Sequence, residues 1–347
     1  MILKAFWQKK ASRGAAILLL LLGLMALLGP ALTPYSYKEQ LKNGEGEILS
    51  HMPPKIPALR FLGIAQGRST LTDRRLDYLE DENRYPAGSV LEVQNRRVSE
   101  SGLAYGDVVV DYYRYMKVEE GRSFWFGTDQ LGRDLWTRLW RGARISLLMA
   151  LFAVAIDLLI GISYGALAGY FGGKTDLILM RIGEVIQSIP NVILCTLLIL
   201  LMGRGIAAMI LALALRNWVE TARLSRAQFL RYKNREFVTA AHALGVGDGR
   251  MIFRHILPNA MGPLITSATL AVPGAIFMES FLSFIGLGIP APEPSVGTLL
   301  SDAQSFLQTQ PHQVLLPAAV IALLMMAFHF LANGLRDAFD KKEEAES

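Results

Sequence analysis

Long apolar runs alternate with stretches dense in charge along this chain, and that segregation confines it to folds in which several helices cross a bilayer. A chain of 347 residues that is 52% hydrophobic and still 19% charged must keep the two kinds of residue apart. The first run, Ala15 to Leu32, follows Lys4, Lys9, Lys10 and Arg13, so it reads as a span whose N-terminal side is cytoplasmic. A cleaved signal peptide has the same charge-then-apolar design, and the small residues from Gly29 to Ala31 leave that alternative open. On either reading the chain next emerges outside.

From Thr33 to Phe126 the composition turns to mixed charge with Pro and Gly. Short β-prone runs, Ser89 to Val93 and Asp107 to Tyr115, predict strands in a small extracytoplasmic lobe. Ile145 to Tyr170 is the second predicted span, with Gly161, Gly165 and Gly169 at a spacing that lets another helix approach closely. Leu177 to Met202 is the third, broken near Pro190, and Ile206 to about Val219 begins a shorter fourth that carries Arg216. Met261 to Ile285 and Val314 to Leu331 complete six. The polar stretch from Arg223 to Asn259 holds seven basic residues against Glu236 and Asp248, so it lies in the cytoplasm. Gly286 to Gln313 has no Lys or Arg and faces outside, and the tail from Lys341 to Ser347 returns inside. Arg133, Arg138, Arg141 and Arg144 conflict with this topology by crowding the outer end of the second span; interleaved with Leu135, Trp136, Leu139 and Trp140, they predict an interfacial amphipathic helix.

A net charge of +5 is explained by this topology, and no aromatic-basic nucleic-acid motif accompanies it. Cys195 is the single cysteine, so neither an intrachain disulfide nor a cysteine-based zinc site can form. The histidines, 51, 242, 255, 312 and 329, have no metal-ligand spacing, and no nucleophile motif of a hydrolase is present. Ala168 to Thr175 fits a relaxed phosphate-loop pattern, but a membrane-length helix precedes it where a strand is required, so Lys174 reads as the turn between two spans. Charges inside spans cost about 2.5 to 3.5 kcal/mol each and are functional candidates by default. Here they are Asp157, Arg181, Glu184, Arg216 and Glu279, of which Arg181 and Glu184 can pair at i,i+3. Asp157 faces either a partner subunit or a transport path.

The sharpest motif lies in the cytoplasmic loop. Phe237 to Leu244 reads as a short helix with Ala240 and Ala241 on its surface, closed by Gly245, and a flat alanine surface at the membrane face can seat in a groove of another protein. An ordinary connecting helix has the same spacing.

The run Glu236 to Gly245 with Asp248, Leu257 and Pro258 resembles the coupling motif of the C-type inner-membrane permeases of dipeptide and oligopeptide ABC importers. Thr239 stands where that family usually has Glu, and His255 where the long motif has Ile. Three further blocks are similar to the same family in the same order: Phe126 to Asp134 with Gly142 to Leu147, Glu279 to Pro290 with Pro294, Ser295 and Gly297, and Gly334 to Asp337. Val296 replaces a usual Trp, and the long insert, 33–126, resembles the microcin-C-type branch.

The resemblance implies an all-α integral membrane subunit: an N-terminal span (1–32), an extracytoplasmic insert (33–126), a five-helix permease core (127–340) with its coupling loop at 223–259, and a short tail (341–347). It implies a multi-pass protein of the bacterial inner membrane that carries peptides or peptide-like compounds. It implies a related permease as heterodimer partner, two ATP-binding subunits that hold ATP and Mg, and an extracytoplasmic peptide-binding protein. This chain would hold no cofactor and perform no hydrolysis. Phe237, Thr239, Ala240, Ala241, Leu244, Gly245 and Asp248 would meet the ATP-binding subunit, and Asp157, Glu184 and Glu279 are the candidate functional charges within the membrane. The rival reading is a membrane anchor whose outer lobe is a binding or sensory module.

Overall fold

The computed structural model describes residues 2–62 and 64–346; Met1, Gly63 and Ser347, the last residue of the expected tail, lie outside the described residues. The helices in chain order are α1 (Ile2–Gln8), α2 (Lys10–Leu28), α3 (Tyr112–Tyr115), α4 (Leu135–Phe171), α5 (Gly173–Ser188), α6 (Asn191–Met202) and α7 (Ile206–Tyr232). They continue with α8 (Glu236–Ala243), α9 (Asp248–Arg250), α10 (Leu257–Leu282), α11 (Val296–Ala303) and α12 (Pro311–Glu346). Wide π-type turns, Met251–Ile256 and Ser283–Leu287, flank α10. The strands are β1 (Arg68–Arg75), β2 (Val90–Val98) and β3 (Ala104–Asp111).

Four helical stretches, Lys10–Leu32, Leu135–Phe171, Asp248–Leu287 and Pro311–Lys341, are long and apolar enough to cross a bilayer, and α5 with α6, bent by 83° at Pro190, makes up to a fifth. Six were expected. The shortfall is α7, whose first half is apolar but whose second half carries Glu220, Arg223, Arg226 and Arg231. It runs unbroken through Arg223, where the sequence suggested that a polar loop begins.

The body of the bundle is α4 against α7, packed side by side and running in the same direction. The glycine stripe explains the contact. A Cβ on Gly161 would come within 2.7 Å of the Trp218 carbonyl oxygen, one on Gly165 within 2.1 Å of the Ala222 oxygen, and one on Gly169 within 2.7 Å of the Arg226 oxygen. Side-chain-free positions every fourth residue therefore let the two backbones touch. On the other flank α4 meets α2, α10 and α12 through a core that includes Trp136, Trp140, Ala150, Val272, Ile276 and Leu324.

α4 starts at Asp134, whose carboxylate accepts the Thr137 amide at 2.9 Å, and ends at Gly172, which takes φ +67°. Its 37 residues span about 55 Å, well beyond the hydrocarbon thickness, so its first turns stand outside the apolar layer. The expected interfacial amphipathic helix is therefore corrected: it is the continuous start of α4, in which Arg138 and Arg141 are buried or half-buried in ion pairs and Arg144 donates to backbone carbonyls, rather than laid on a membrane surface. The apparent phosphate loop is the α4–α5 turn.

The insert folds as a three-stranded antiparallel sheet of order β1-β3-β2. Val108 and Val110 of the central strand point into a small core with Tyr85. Both expected strands are present with shifted ends. β2 runs on to Val98, and β3 stops at Asp111, whose carboxylate accepts the amides of Tyr113 and Arg114 and turns the chain into α3. β1 was not anticipated, because Arg68–Arg75 is mostly polar and lies at a solvent-facing edge of the sheet. The polar connection 286–313 also contains a helix, α11, opened by a capping box at Ser295 and Thr298.

Candidate functional site

At the C-terminal end of α7 the chain turns at Asn234 and Arg235 into α8. Val238 and Ala241, three residues apart, are buried against Phe229, Met251, Ile252 and Ile256, with Ala166 of α4 behind them. The expectation that both alanines lie on the surface is thus half right. Ala241 is the inner anchor of the helix, and Ala240 alone faces out. The outer face carries Phe237, Ala240 and Leu244, with Leu244 85% exposed. Thr239 is also exposed, and its hydroxyl donates back to the Arg235 carbonyl at 3.4 Å, within its own helix.

α8 is closed by a Schellman cap. The Gly245 amide donates to the His242 carbonyl at 2.9 Å and the Val246 amide to the Ala241 carbonyl at 3.1 Å, with Gly245 at φ +74°. Val246 packs against the apolar cluster that holds Val238 and Ala241. Asp248 opens α9, and its carboxylate accepts the Tyr170 hydroxyl at 2.6 Å. The Tyr170 ring also stacks on His242, with centroids 6.3 Å apart. Tyr170 belongs to the last turn of α4, so the α8–α9 unit is tied to the helix that runs the length of the bundle.

The intramembrane charges do not converge on one site. Asp157 is 2% exposed and neither carboxylate oxygen has a hydrogen-bond partner. Glu279 is fully buried but satisfied: its oxygens accept the hydroxyls of Ser146 at 2.9 Å and Ser283 at 2.8 Å. Ser146 in turn accepts the Val296 amide at 3.1 Å, so Glu279 lies behind the first turn of α11 and ties it to α4 and α10. Glu184 is exposed and pairs with Arg181 at 2.8 Å, the local pairing that their spacing suggested. Arg216 donates to the Gln187 carbonyl at 3.1 Å.

The N-terminal end of α4 holds a network that the sequence did not reveal. Asp129 receives Arg133 at 2.7 Å and Arg138 at 3.3 Å, and Asp302 of α11 meets Arg138 at 3.4 Å. Burial outweighs the two guanidinium groups and raises the Asp302 pKa above the usual carboxylate value. Arg141 pairs with Glu293 at 3.1 Å, and Arg144 donates to the Ala26 carbonyl at 2.8 Å. His51 of the insert meets the Gln313 side chain at 3.2 Å, and burial lowers its pKa. The alternation of Asp and Arg in 129–138 was the available signal. Among the described residues no group of three or more His, Cys, Asp or Glu could hold a metal ion.

Residues 161–344 match the family described as the binding-protein-dependent transport system inner membrane component. The chain belongs to this family. Residues 1–54 of the permease also match the N-terminal transmembrane domain of oligopeptide transport permease C. Among its relatives, the oligopeptide transport system permease protein OppC of Bacillus subtilis is 43% identical over 64% of this chain and 72% of its own. The dipeptide transport system permease protein DppC of the same organism is 48% identical over 63% of this chain and 68% of its own. A chain from the solved MetNI methionine ABC transporter is similar over 60% of this chain and 96% of its own, at 19% identity and a TM-score of 0.48.

The permease is thus a multi-pass inner membrane subunit of an ABC importer, and its kinship favours transport over an anchored sensory module. Hydrolysis of ATP belongs, in this family, to separate subunits.

Proposed function

We propose that the permease carries short peptides or peptide-like compounds across the membrane as one half of a heterodimer with a related permease, above two ATP-binding subunits that hold ATP and Mg. A peptide-binding protein delivers the cargo from outside, where the insert 33–126 also lies. The names of the relatives supply the substrate class. In this reading α7 is the sixth span, its charged half emerging into the cytoplasm. Outward- and inward-facing states differ in energy by what the ATP-binding subunits impose, and this chain supplies the path and the lever.

The observation that carries the reading is the apolar stripe of Phe237, Ala240 and Leu244 on the outer face of α8. Side chains this apolar and this exposed favour seating in a partner's groove. Behind the stripe, Val238, Ala241, the Gly245 cap and the Asp248–Tyr170 bond make α8 rigid with α4, so a displacement imposed on one is imposed on the other. The other proposed contacts, Thr239, Gly245 and Asp248, flank the stripe.

Co-purification through a tag on the permease tests this. Wild type is expected to recover the ATP-binding subunits. Leu244→Asp places a charge on a side chain that is almost fully exposed, so it leaves the fold intact and is expected to lose them. Recovery unchanged by Leu244→Asp and by Phe237→Asp would reject the docking surface.

A further inference from the structure

The outer lobe has a cleft of about 660 Å³, bounded by the β1 bulge, the turn at 43–47 and the chain leaving α3. Its size is that of a small-molecule site. The two sides carry opposite charge. On one, Arg84 and Arg75 stack on the Tyr78 ring at 3.9 and 4.6 Å and are paired with Asp81 and Asp77. Arg74 beside them is exposed and has no ion-pair partner among the described residues. On the other side, Lys117 is taken by Glu45 at 2.8 Å. Glu47 accepts only the Asn43 side-chain amide, at 2.9 Å, and has no cation within ion-pair distance among the described residues.

The exposed Arg74 guanidinium and the exposed Glu47 carboxylate therefore line the same cleft, neither within ion-pair distance of an opposite charge among the described residues, with Lys117, already bound to Glu45, within the field of Glu47. Asp73 and Lys117 on the rim hold left-handed backbone, φ +54° and +49°, which is costly for side chains other than Gly and gathers at functional positions. The complement of this surface is a molecule with an anion at one end and a cation at the other.

We propose that the cleft binds the two ends of a short peptide, its terminal carboxylate on Arg74 and its terminal ammonium on Glu47. The choice of a peptide over other zwitterions rests on the transport reading above; the unneutralised charges do not. Arg74 suits a carboxylate because its planar fork can donate two parallel hydrogen bonds, and Tyr78 and Tyr115 provide walls for the chain between the ends. The cleft would hold cargo on the lobe, apart from the path between the helices.

The test is titration calorimetry of the complete complex in nanodiscs, without ATP or the binding protein, using tri-alanine as probe. Wild type is expected to bind it, about tenfold or more weaker when the peptide is C-terminally amidated, and likewise in Arg74→Gln. Arg74→Gln should no longer distinguish acid from amide, and Arg74→Lys should regain part of the loss. Glu47→Gln keeps an acceptor for Asn43 and should abolish discrimination against N-acetylated peptide. Absence of binding in wild type, or binding indifferent to both Arg74→Gln and amidation, overturns the proposal. ATP-driven uptake with the binding protein restored separates the two readings: uptake without cleft binding removes the cleft alone, and cleft binding without uptake removes the importer of peptides alone.

Discussion

Gly165 lies so close to Ala222 that a Cβ added to it would sit 2.1 Å from the Ala222 carbonyl oxygen. No side-chain adjustment relieves that contact, because the obstacle is backbone. Gly165→Ala must therefore push α4 away from α7 along the main interface of the bundle, at a cost of about 1 to 3 kcal/mol. Gly183→Ala is the control, since its Cβ would meet only a Val219 methyl at 3.1 Å. Thermal unfolding of the purified protein should show a clearly lower midpoint for Gly165→Ala than for Gly183→Ala; equal midpoints would contradict the close approach.

The two buried carboxylates should respond in opposite directions. Asp157 has no partner for either oxygen, so Asp157→Asn removes a buried ionisable group that nothing compensates, keeping a neutral side chain of the same shape, and is expected to hold or raise the melting point. Glu279 accepts from Ser146 and Ser283, so Glu279→Ala leaves buried hydroxyls without acceptors and should destabilise by about 1 to 3 kcal/mol. A fall in stability for Asp157→Asn as large as that for Glu279→Ala would show that Asp157 is paired.

At the outer network the two aspartates are not equivalent. Asp129 is buried and receives both Arg133 and Arg138, whereas the Asp302 side chain is 41% exposed and shares the same arginines at longer range. Asp129→Asn leaves two buried guanidinium groups short of a counter-charge and should cost several times more stability than Asp302→Asn. The ratio of the two losses in urea melts is the measurement.

The contact between the insert and α12 should weaken in acid. Gln313 donates its amide to Nδ1 of a neutral His51, and protonation replaces that acceptor with a donor. The His51 pKa is lowered from 6.5 by burial, against the pull of Asp129. A base whose folded pKa is depressed contributes stability that is present above 6.5 and lost as pH falls from there through the folded value. The hydrogen-exchange protection factors of the amides of residues 49–52, corrected for the intrinsic pH dependence of exchange, should fall over that window in wild type and stay flat in His51→Gln; flat wild-type protection would count against the contact.

How much was legible follows from the kind of signal each element carries. The spans, the glycine stripe and the helix closed by Gly245 are written in local periodicity and spacing, which one sequence displays. β1 was invisible because an edge strand with a polar outer face has no apolar alternation to read. The burial of Ala241 depends on which side of α8 meets Phe229 and Ile256, and helix rotation is a tertiary property. The arginines at the head of α4 looked like a membrane-surface helix because Glu293, the partner of Arg141, and Asp302, the second partner of Arg138, lie more than a hundred residues away. Asp157 stands out in the sequence as a charge within an apolar run; its lack of partners could be known only from packing.

In the proposed function, the outer face of α8 transmits the action of ATP to the bundle. The most direct measurement is the number of peptides imported per ATP hydrolysed by the complete complex with its binding protein in proteoliposomes, for wild type and Leu244→Asp. Leu244→Asp is expected to abolish uptake and its stimulation of hydrolysis while the permease remains inserted at wild-type level. Uptake and ATP consumption unchanged in Leu244→Asp would contradict it.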